Sequence, residues 1–396
     1  MTNIFNSPAS YEVIHRLEQA GYEAVFVGGA VRDYLLHKTA KDIDIATSAE
    51  PYEVKAIFSN TIDIGIAHGT VLVVLDHETI EVTTYRTEGT YTDHRRPDKV
   101  HFVKTLHDDL LRRDFTINAL AMNKNGKVID LFNGEKDLSD RIIRAVGDPN
   151  ERFHEDALRM LRAIRFSSVL DFDIEASTLS AIDHNAYQIN NVSVERIKIE
   201  LDKLFIGKNP AKALITLFSS PLGKELSLYT KQVEELKRSL PFNTSTEGWA
   251  FFATIGEVSP SELVAKFKLS NTERKFIHAV HEAYTKRIKN PFTTLDYYVY
   301  SMQVLLCAEK FFRATHSEAE SITNLEMERR KNSLPIHSKQ DLVVNGQHLL
   351  QWTRQPGGPW TGEWMKKIEL AVLYGESENT LAAIKDWFTI EFKCEK

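Results

Sequence analysis

Strand-like alternation runs through the first 148 residues and stops at GDPN, Gly147 to Asn150; from Glu151 onward nearly every apolar residue recurs with helical spacing. A chain patterned this way is confined to an α+β fold, with a sheet-bearing N-terminal domain followed by segments built of helices. The first third orders as helix YEVIHRLEQAG, ended by Gly21, strand EAVFVGG, helix AVRDYLLHK, strand KDIDIAT and helix PYEVKAIFS, which opens on Pro51. TVLVVLD and TIEVTTYR flank Asp76, His77 and Glu78 as a hairpin, and the aperiodic TEGTYTDHRRPDK reads as a long loop. Strand VHFV, helix LHDDLLRRDF, the apolar run INALAM and strand NGKVIDLFNG complete this part. Downstream, ERFHEDALRMLRAIRFSS reads as one helix and SVERIKIELDKLF as another, with Ser193 at its N-cap.

A chain of 396 residues exceeds one ordinary core, so about two to four domains are expected. No apolar run nears the ~20 residues that cross a bilayer, and no basic patch precedes an apolar stretch at the N-terminus, so a cytoplasmic location is expected. Cys307 and Cys394 are the only cysteines, too few for a disulfide framework or a thiolate metal cage. The net charge of −6 argues against a uniformly basic polyanion binder. It permits an enzyme that confines positive charge to one groove.

Four short stretches carry chemistry. In KDIDIA, a strand puts Asp42 and Asp44 on one side and Ile43 and Ile45 on the other. Like charges so placed need a cation between them, a shared proton, or screening water. Glu81, on a strand that can neighbour the first, completes three carboxylates suited to Mg²⁺, which takes few protein oxygens; the plain alternative is an edge strand with a solvated face. GGAVRD, at a strand-to-helix junction, offers backbone N–H groups to an anion at Gly28 and Gly29, with Arg32 one turn on; the alternative is a tight turn with a surface arginine. RRDFTINA offers Arg112 and Arg113 as a phosphate clamp and Asp114 as an acceptor for a ribose hydroxyl, or else a helix end whose arginines answer the dipole.

EDALR, Glu155 to Arg159, has side chains suited to base edges. Asp156 and Arg159, three apart on one helix, are neighbours; Asp only accepts and Arg only donates. Cytosine and adenine each present an amino donor beside a bare ring nitrogen, whereas uracil and guanine present a carbonyl beside a ring N–H. Such a pair accepts C and A and rejects U and G, because the wrong base leaves buried groups unpaired. The alternative is an ordinary helical ion pair. Arg152, Arg159, Arg162 and Arg165 add a basic stripe, as a nucleic-acid groove or a solvated face.

These stretches, with IEVTTYR and the GDPNERFHEDALRMLRAIRF junction, resemble in sequence order the class II tRNA nucleotidyltransferases, the CCA-adding enzymes, and the related bacterial poly(A) polymerases, across roughly the first 205 residues. The resemblance implies a polymerase-β-like nucleotidyltransferase head with a mixed sheet at residues 1–148, a helical neck that recognises the base at 149–208, a helical body at 209–312 and a helical, tRNA-binding tail at 313–396. It implies Mg²⁺ as cofactor, Asp42 and Asp44 as its ligands, and Glu81 as the third carboxylate of the poly(A) polymerase branch. Gly28, Gly29 and Arg32 would hold the triphosphate, and Arg112, Arg113, Asp114 and Asn118 the triphosphate and ribose. Glu155, Asp156 and Arg159, with Arg162 and Arg165, would read incoming CTP and then ATP. The expected reaction adds CCA to the 3′ end of tRNA, which the tail grips at the elbow. Poly(A) synthesis, partial CC or A addition, and a non-catalytic RNA-binding scaffold are the rivals. Retention of DHRRPDK, Asp93 to Lys99, favours intact A addition, and a monomer or a homodimer is left open.

Overall fold

The structure, a computed structural model, describes residues 5–40, 42–65, 68–88, 100–228, 230–256, 258–316 and 321–394. It falls into two compact units: residues 1–230 with 241–245, and residues 231–240 with 246–396. Lys41 and the segment 89–99, on which the A-addition expectation rests, lie outside the described residues.

The first unit is built on a seven-stranded mixed sheet. Its strands are β1 (Ala24–Val27), β2 (Asp44–Thr47), β3 (Thr61–Gly65), β4 (Thr70–Leu75), β5 (Glu78–Thr84), β8 (Leu120–Met122) and β9 (Val128–Asp130), in the order β3-β4-β5-β2-β1-β8-β9. β6 (Arg86–Glu88) and β7 (Val100–Phe102) form a separate antiparallel pair. Only β2 and β5 run parallel within the large sheet. β1, the apolar AVFV, is buried along its whole length, as a central strand must be. β5 alternates instead: Ile80, Val82 and Thr84 are buried while Glu81 faces outward. Asp76 and His77 both adopt positive φ, the conformation a two-residue hairpin turn demands, and so fix the β4–β5 register.

Helices α1 (Pro8–Gln19), α2 (Gly29–Leu35), α3 (Pro51–Ile57), α4 (Leu106–Leu111) and α5 (Gly134–Asp140) surround the sheet. α4 is seated by Leu106 and Leu110, which pack with Val25, Val27, Ala46 and Tyr85 in one core. That seating places Arg112, Arg113 and Asp114, just beyond the helix end, beside β1 and β8. Past the sheet the first unit continues as α6 (Pro149–Glu155), α7 (Leu158–Leu170), α8 (Ala176–Asn185) and α9 (Val194–Phe205). Ser193 stands at the α9 N-cap, as expected, but makes no side-chain capping bond.

Three local expectations change. β2 begins at Asp44, so Asp42 lies in the bend before it rather than on the strand: its neighbour β1 turns away at Gly28, and Val27↔Asp44 is the last pair of that ladder. The expected single helix from 151 is broken at Asp156, which is extended (φ −144, ψ 102) and accepts the Leu158 N–H through Oδ1. An aspartate carboxylate competes with the helical ladder in this way. The expected helix LHDDLLRRDF stops at Leu111, and a 3₁₀ turn, Thr116–Asn118, precedes β8.

The second unit is helical among its described residues. Helices Asn271–Arg287 and Met302–Thr315 are joined by a buried ion pair, Arg287 Nε to Glu309 Oε2 at 2.6 Å, with the guanidinium 3.7 Å from the Phe312 ring centroid. Trp352, Trp360 and Trp364 pack on Phe388 or Phe392 at centroid distances of 5.1–5.9 Å, as packing residues rather than exposed platforms. No described helix in either unit is long and apolar enough to cross a membrane.

Candidate active site

A cavity of about 460 Å³ opens in the first unit over the ends of β1, β2 and β5. Parallel pairing sets Asp44 directly across from Glu81, so both side chains leave the sheet on one face. Both carboxyls titrate above their ordinary range, Asp44 through burial first and then the Asp42 charge, against the pull of Arg113. For Glu81 the order is burial, then Asp44, with Arg86 opposing. Asp42 therefore acts on both from an exposed position outside the cavity wall. Among the described residues no three of His, Cys, Asp and Glu form a ready-made metal cage. The donor set nonetheless fits a hard divalent cation. Such an ion takes one or two carboxylates and completes its shell with water and phosphate oxygens, and its charge would offset both the burial and the lesser carboxylate repulsion that raise Asp44 and Glu81.

The turn out of β1 is held by glycine for two reasons. Gly28 has φ +69, and a Cβ there would lie 2.7 Å from Arg113 Nη1. Its N–H, expected to be free for an anion, donates to the Leu120 carbonyl at 3.0 Å, so anion binding falls more heavily on side chains. Arg32 donates to Asn118 Oδ1 at 2.6 Å and to Asp33 Oδ1 at 2.8 and 2.9 Å. Arg112 and Arg113 both grip Asp109, at 2.8 and 3.2 Å. That carboxylate is fully buried, yet the two guanidiniums overcome its burial and hold it below the usual range.

Asp114 is partnered on every side. Oδ1 accepts from the Phe115 N–H (2.8 Å) and Asn118 Nδ2 (3.0 Å), and Oδ2 from Arg162 Nε (2.8 Å) and Nη2 (2.6 Å). Burial opposes its charge, but Arg162 and Asn118 prevail and hold the carboxyl at about 2. A carboxylate has about four acceptor lobes. A ribose hydroxyl reaching Asp114 must therefore share one of these donors.

The broken helix separates the base-reading candidates from each other without removing them from the cavity. Asp156 pairs with Arg196 rather than Arg159, through Nη2 at 2.7 Å and Nη1 at 3.3 Å. Arg159 donates to Glu155 at 2.7 Å and to the Arg112 carbonyl at 2.8 Å. Asp156, Arg159 and Arg162 line the cavity, whereas Glu155 and Arg165 stand behind it. Glu155 also takes Arg152 at 2.6 Å, and Arg165 pairs with Glu200 at 2.6 Å with its guanidinium 3.6 Å over the Phe166 ring. Burial pulls Arg165 down to about 10. The expected stripe is likewise split, Arg152 on α6 and the other three on α7.

Sequence reasoning missed Asp109, Arg196, Glu200 and Phe166. Asp109 had a signal, since it precedes Arg112 by three and Arg113 by four on a helix. Arg196 and Glu200 had none, because their partners are 40 and 35 to 38 positions away.

Residues 24–144 match the family described as the "Poly A polymerase head domain", 171–229 the "Probable RNA and SrmB- binding site of polymerase A" and 240–388 "tRNA nucleotidyltransferase domain 2". Carboxylates on the mixed sheet of that head domain, beside an arginine-lined cavity, define a nucleotidyltransferase. The CCA-adding enzyme of Ligilactobacillus salivarius is 42% identical over 376 residues, covering 93% of this chain and 92% of its own. That of Streptococcus gordonii is 43% identical over 383 residues, covering 94% of each. The solved structure of the Bacillus stearothermophilus CCA-adding enzyme in complex with CTP superposes with a TM-score of 0.86 at 36% identity, covering 100% of this chain and 99% of that one. The chain belongs to the CCA-adding enzymes. Membership implies a divalent metal in the catalyst.

Proposed function

We propose that this chain builds and repairs the 3′-terminal CCA of tRNA from CTP and ATP, with Mg²⁺ as its divalent ion, and that it works in the cytoplasm. One observation carries the reading: the candidate base readers Asp156 and Arg159 line the same cavity as the Asp44 carboxylate and the arginine cradle. A nucleoside triphosphate laid between them has its base at one end and its phosphates at the other. Arg32, Arg112 and Arg113 bind the phosphates through guanidiniums already fixed by Asn118, Asp33 and Asp109. Asp114 holds Asn118 and Arg162 at the ribose, and Glu155 holds Arg159 at the base edge. Asp156 accepts the exocyclic amino group that C and A share, while Arg159 donates to the adjacent ring nitrogen.

Asp44, with Asp42 or Glu81, would hold the metal. When bound, that ion lowers the pKa of the attacking hydroxyl and neutralises charge on the leaving oxygens. The RNA 3′ hydroxyl gives its proton to solvent as its oxygen bonds to the α-phosphorus, the bond from the α-phosphorus to the α–β bridging oxygen breaks, and pyrophosphate leaves with that oxygen. In this reading the head, neck, body and tail divide at 148, 208 and 312, and the tail holds the tRNA.

The test is incorporation of labelled CTP and ATP, separately and together, into tRNA trimmed of its 3′ CCA. Two C residues with CTP alone and a completed CCA with both are expected; ATP chains of indefinite length would overturn the reading. Asp44→Asn is expected to abolish both additions while tRNA binding persists.

A further inference from the structure

Asp156 is useful as a base reader only if its acceptors are few and fixed, and the residue that arranges this stands on a different helix. Arg196 lies in the first turn of α9, where the helix dipole disfavours a cation. Its fork nevertheless meets Asp156 through both terminal nitrogens, 2.7 Å to Oδ2 and 3.3 Å to Oδ1. The Leu158 N–H adds 3.1 Å to Oδ1. Of the about four lobes that a carboxylate offers, these contacts occupy two on Oδ1 and one on Oδ2. A single lobe on Oδ2 remains. Both side chains border the cavity, and both are mostly buried, at 25% and 15% exposure for Arg196 and Asp156.

We propose that Arg196 is a specificity-determining positioning residue, which clamps Asp156 so that one acceptor lobe is left to take the amino group of an incoming cytosine or adenine. The inference rests on the reading of Asp156 as a base reader given above. A carboxylate free to rotate presents its other lobes and admits water between itself and the base. Water can then satisfy the carbonyl of uracil, and the penalty that rejects it disappears. The clamp acts on selection and not on phosphate binding, since the arginine cradle for phosphate is fixed by Asp109, Asp33 and Asn118 instead.

The experiment compares kcat/KM for CTP and UTP on tRNA lacking its CCA, in the wild type and in Arg196→Met, Arg196→Lys, Asp156→Ala and the Asp156→Ala/Arg196→Met double variant. Arg196→Met is expected to lower the CTP-over-UTP ratio by about 10- to 100-fold, the value of a charged hydrogen bond. Arg196→Lys, with charge but no fork, is expected to fall between it and the wild type. The double variant should match Asp156→Ala alone, because Arg196 acts through Asp156. A wild-type ratio in Arg196→Met, with Asp156→Ala relaxed, overturns the inference and leaves the base-reading role standing. An unchanged ratio in Asp156→Ala overturns both. Further relaxation of the double variant beyond Asp156→Ala assigns Arg196 a merely structural role and also overturns it. Circular dichroism checks folding; if Arg196→Met does not fold, Arg196→Lys decides, with a wild-type ratio counting against the proposal.

Discussion

Replacing Asp114 by Asn tests the most heavily partnered group in the site. The change is isosteric, but an amide has one acceptor oxygen and one donor nitrogen. With the oxygen toward Arg162, its NH₂ meets the donors Phe115 N–H and Asn118 Nδ2; reversed, it meets the guanidinium. Two donors lose their partner either way. A carboxyl held at about 2 in the fold, against an ordinary value near 4, favours the folded state by about 2–3 kcal/mol at neutral pH. The depressed folded pKa sets the sign: this contribution is complete above pH ~4 and is lost as pH falls through about 2, with about half gone by pH 3. Asp114→Asn should therefore be less stable than the wild type by about 2–3 kcal/mol at pH 7, with the gap roughly halved at pH 3. All five tryptophans lie in the second unit, so a urea transition in far-UV dichroism that tryptophan fluorescence does not follow reports the first. A gap of equal size at pH 7 and pH 3 would refute the assignment of the stabilising charge to Asp114.

Gly28→Ala forces a left-handed residue and sets a Cβ 2.7 Å from Arg113 Nη1, so KM for CTP and ATP should rise together, with their ratio unchanged, in steady-state assays. Glu81→Gln should raise the half-saturating Mg²⁺ concentration by about tenfold if Glu81 completes the metal site with Asp44; a metal titration of CTP incorporation that is unmoved assigns that place to Asp42. Glu309→Gln removes the carboxylate charge facing the buried Arg287 and should cost about 3–5 kcal/mol in the tryptophan-detected transition, with KM for CTP unaltered.

What could be read from the chain was what local periodicity encodes. AVFV running into Gly28, the polar break at Asp76, His77 and Glu78 between two apolar runs, and the loss of alternation after Gly147 each specify backbone within a few residues, and the fold follows them. The Asp44–Glu81 pairing was also accessible, because alternation fixes which side chains share a face once two strands are neighbours. Periodicity could not place Asp42, because β2 begins only at Asp44, where β1 turns away, and that turn is tertiary. Nor could it show the break at Asp156, where one side-chain hydrogen bond to Leu158 overrides a helical pattern on both sides. Arg196 and Glu200 reach their partners only when α9 lies along α7, a packing that no window of sequence contains.

A net charge of −6 and a site for a polyanion are reconciled by how the acids are spent. Around the cavity each principal arginine has a carboxylate behind it: Asp33 for Arg32, Asp109 for Arg112 and Arg113, Glu155 for Arg159, Asp114 for Arg162 and Asp156 for Arg196. These acids do not cancel the site, since a guanidinium gripped on one edge still presents N–H groups on another. They fix the forks in advance, so that binding a nucleotide orders few side chains and the entropy lost on association is small. Arg162 and Arg165 add a second layer, sharing the buried Glu200 and bracketing Phe166 at 5.5 and 3.6 Å. The Asp114 and Glu200 contacts of Arg162 therefore join the Asp114 side of the cavity to α9, the helix that also carries Arg196. On the proposed reading, sugar and base would then be held by groups tied to one helix, and loosening Glu200 should disturb both at once.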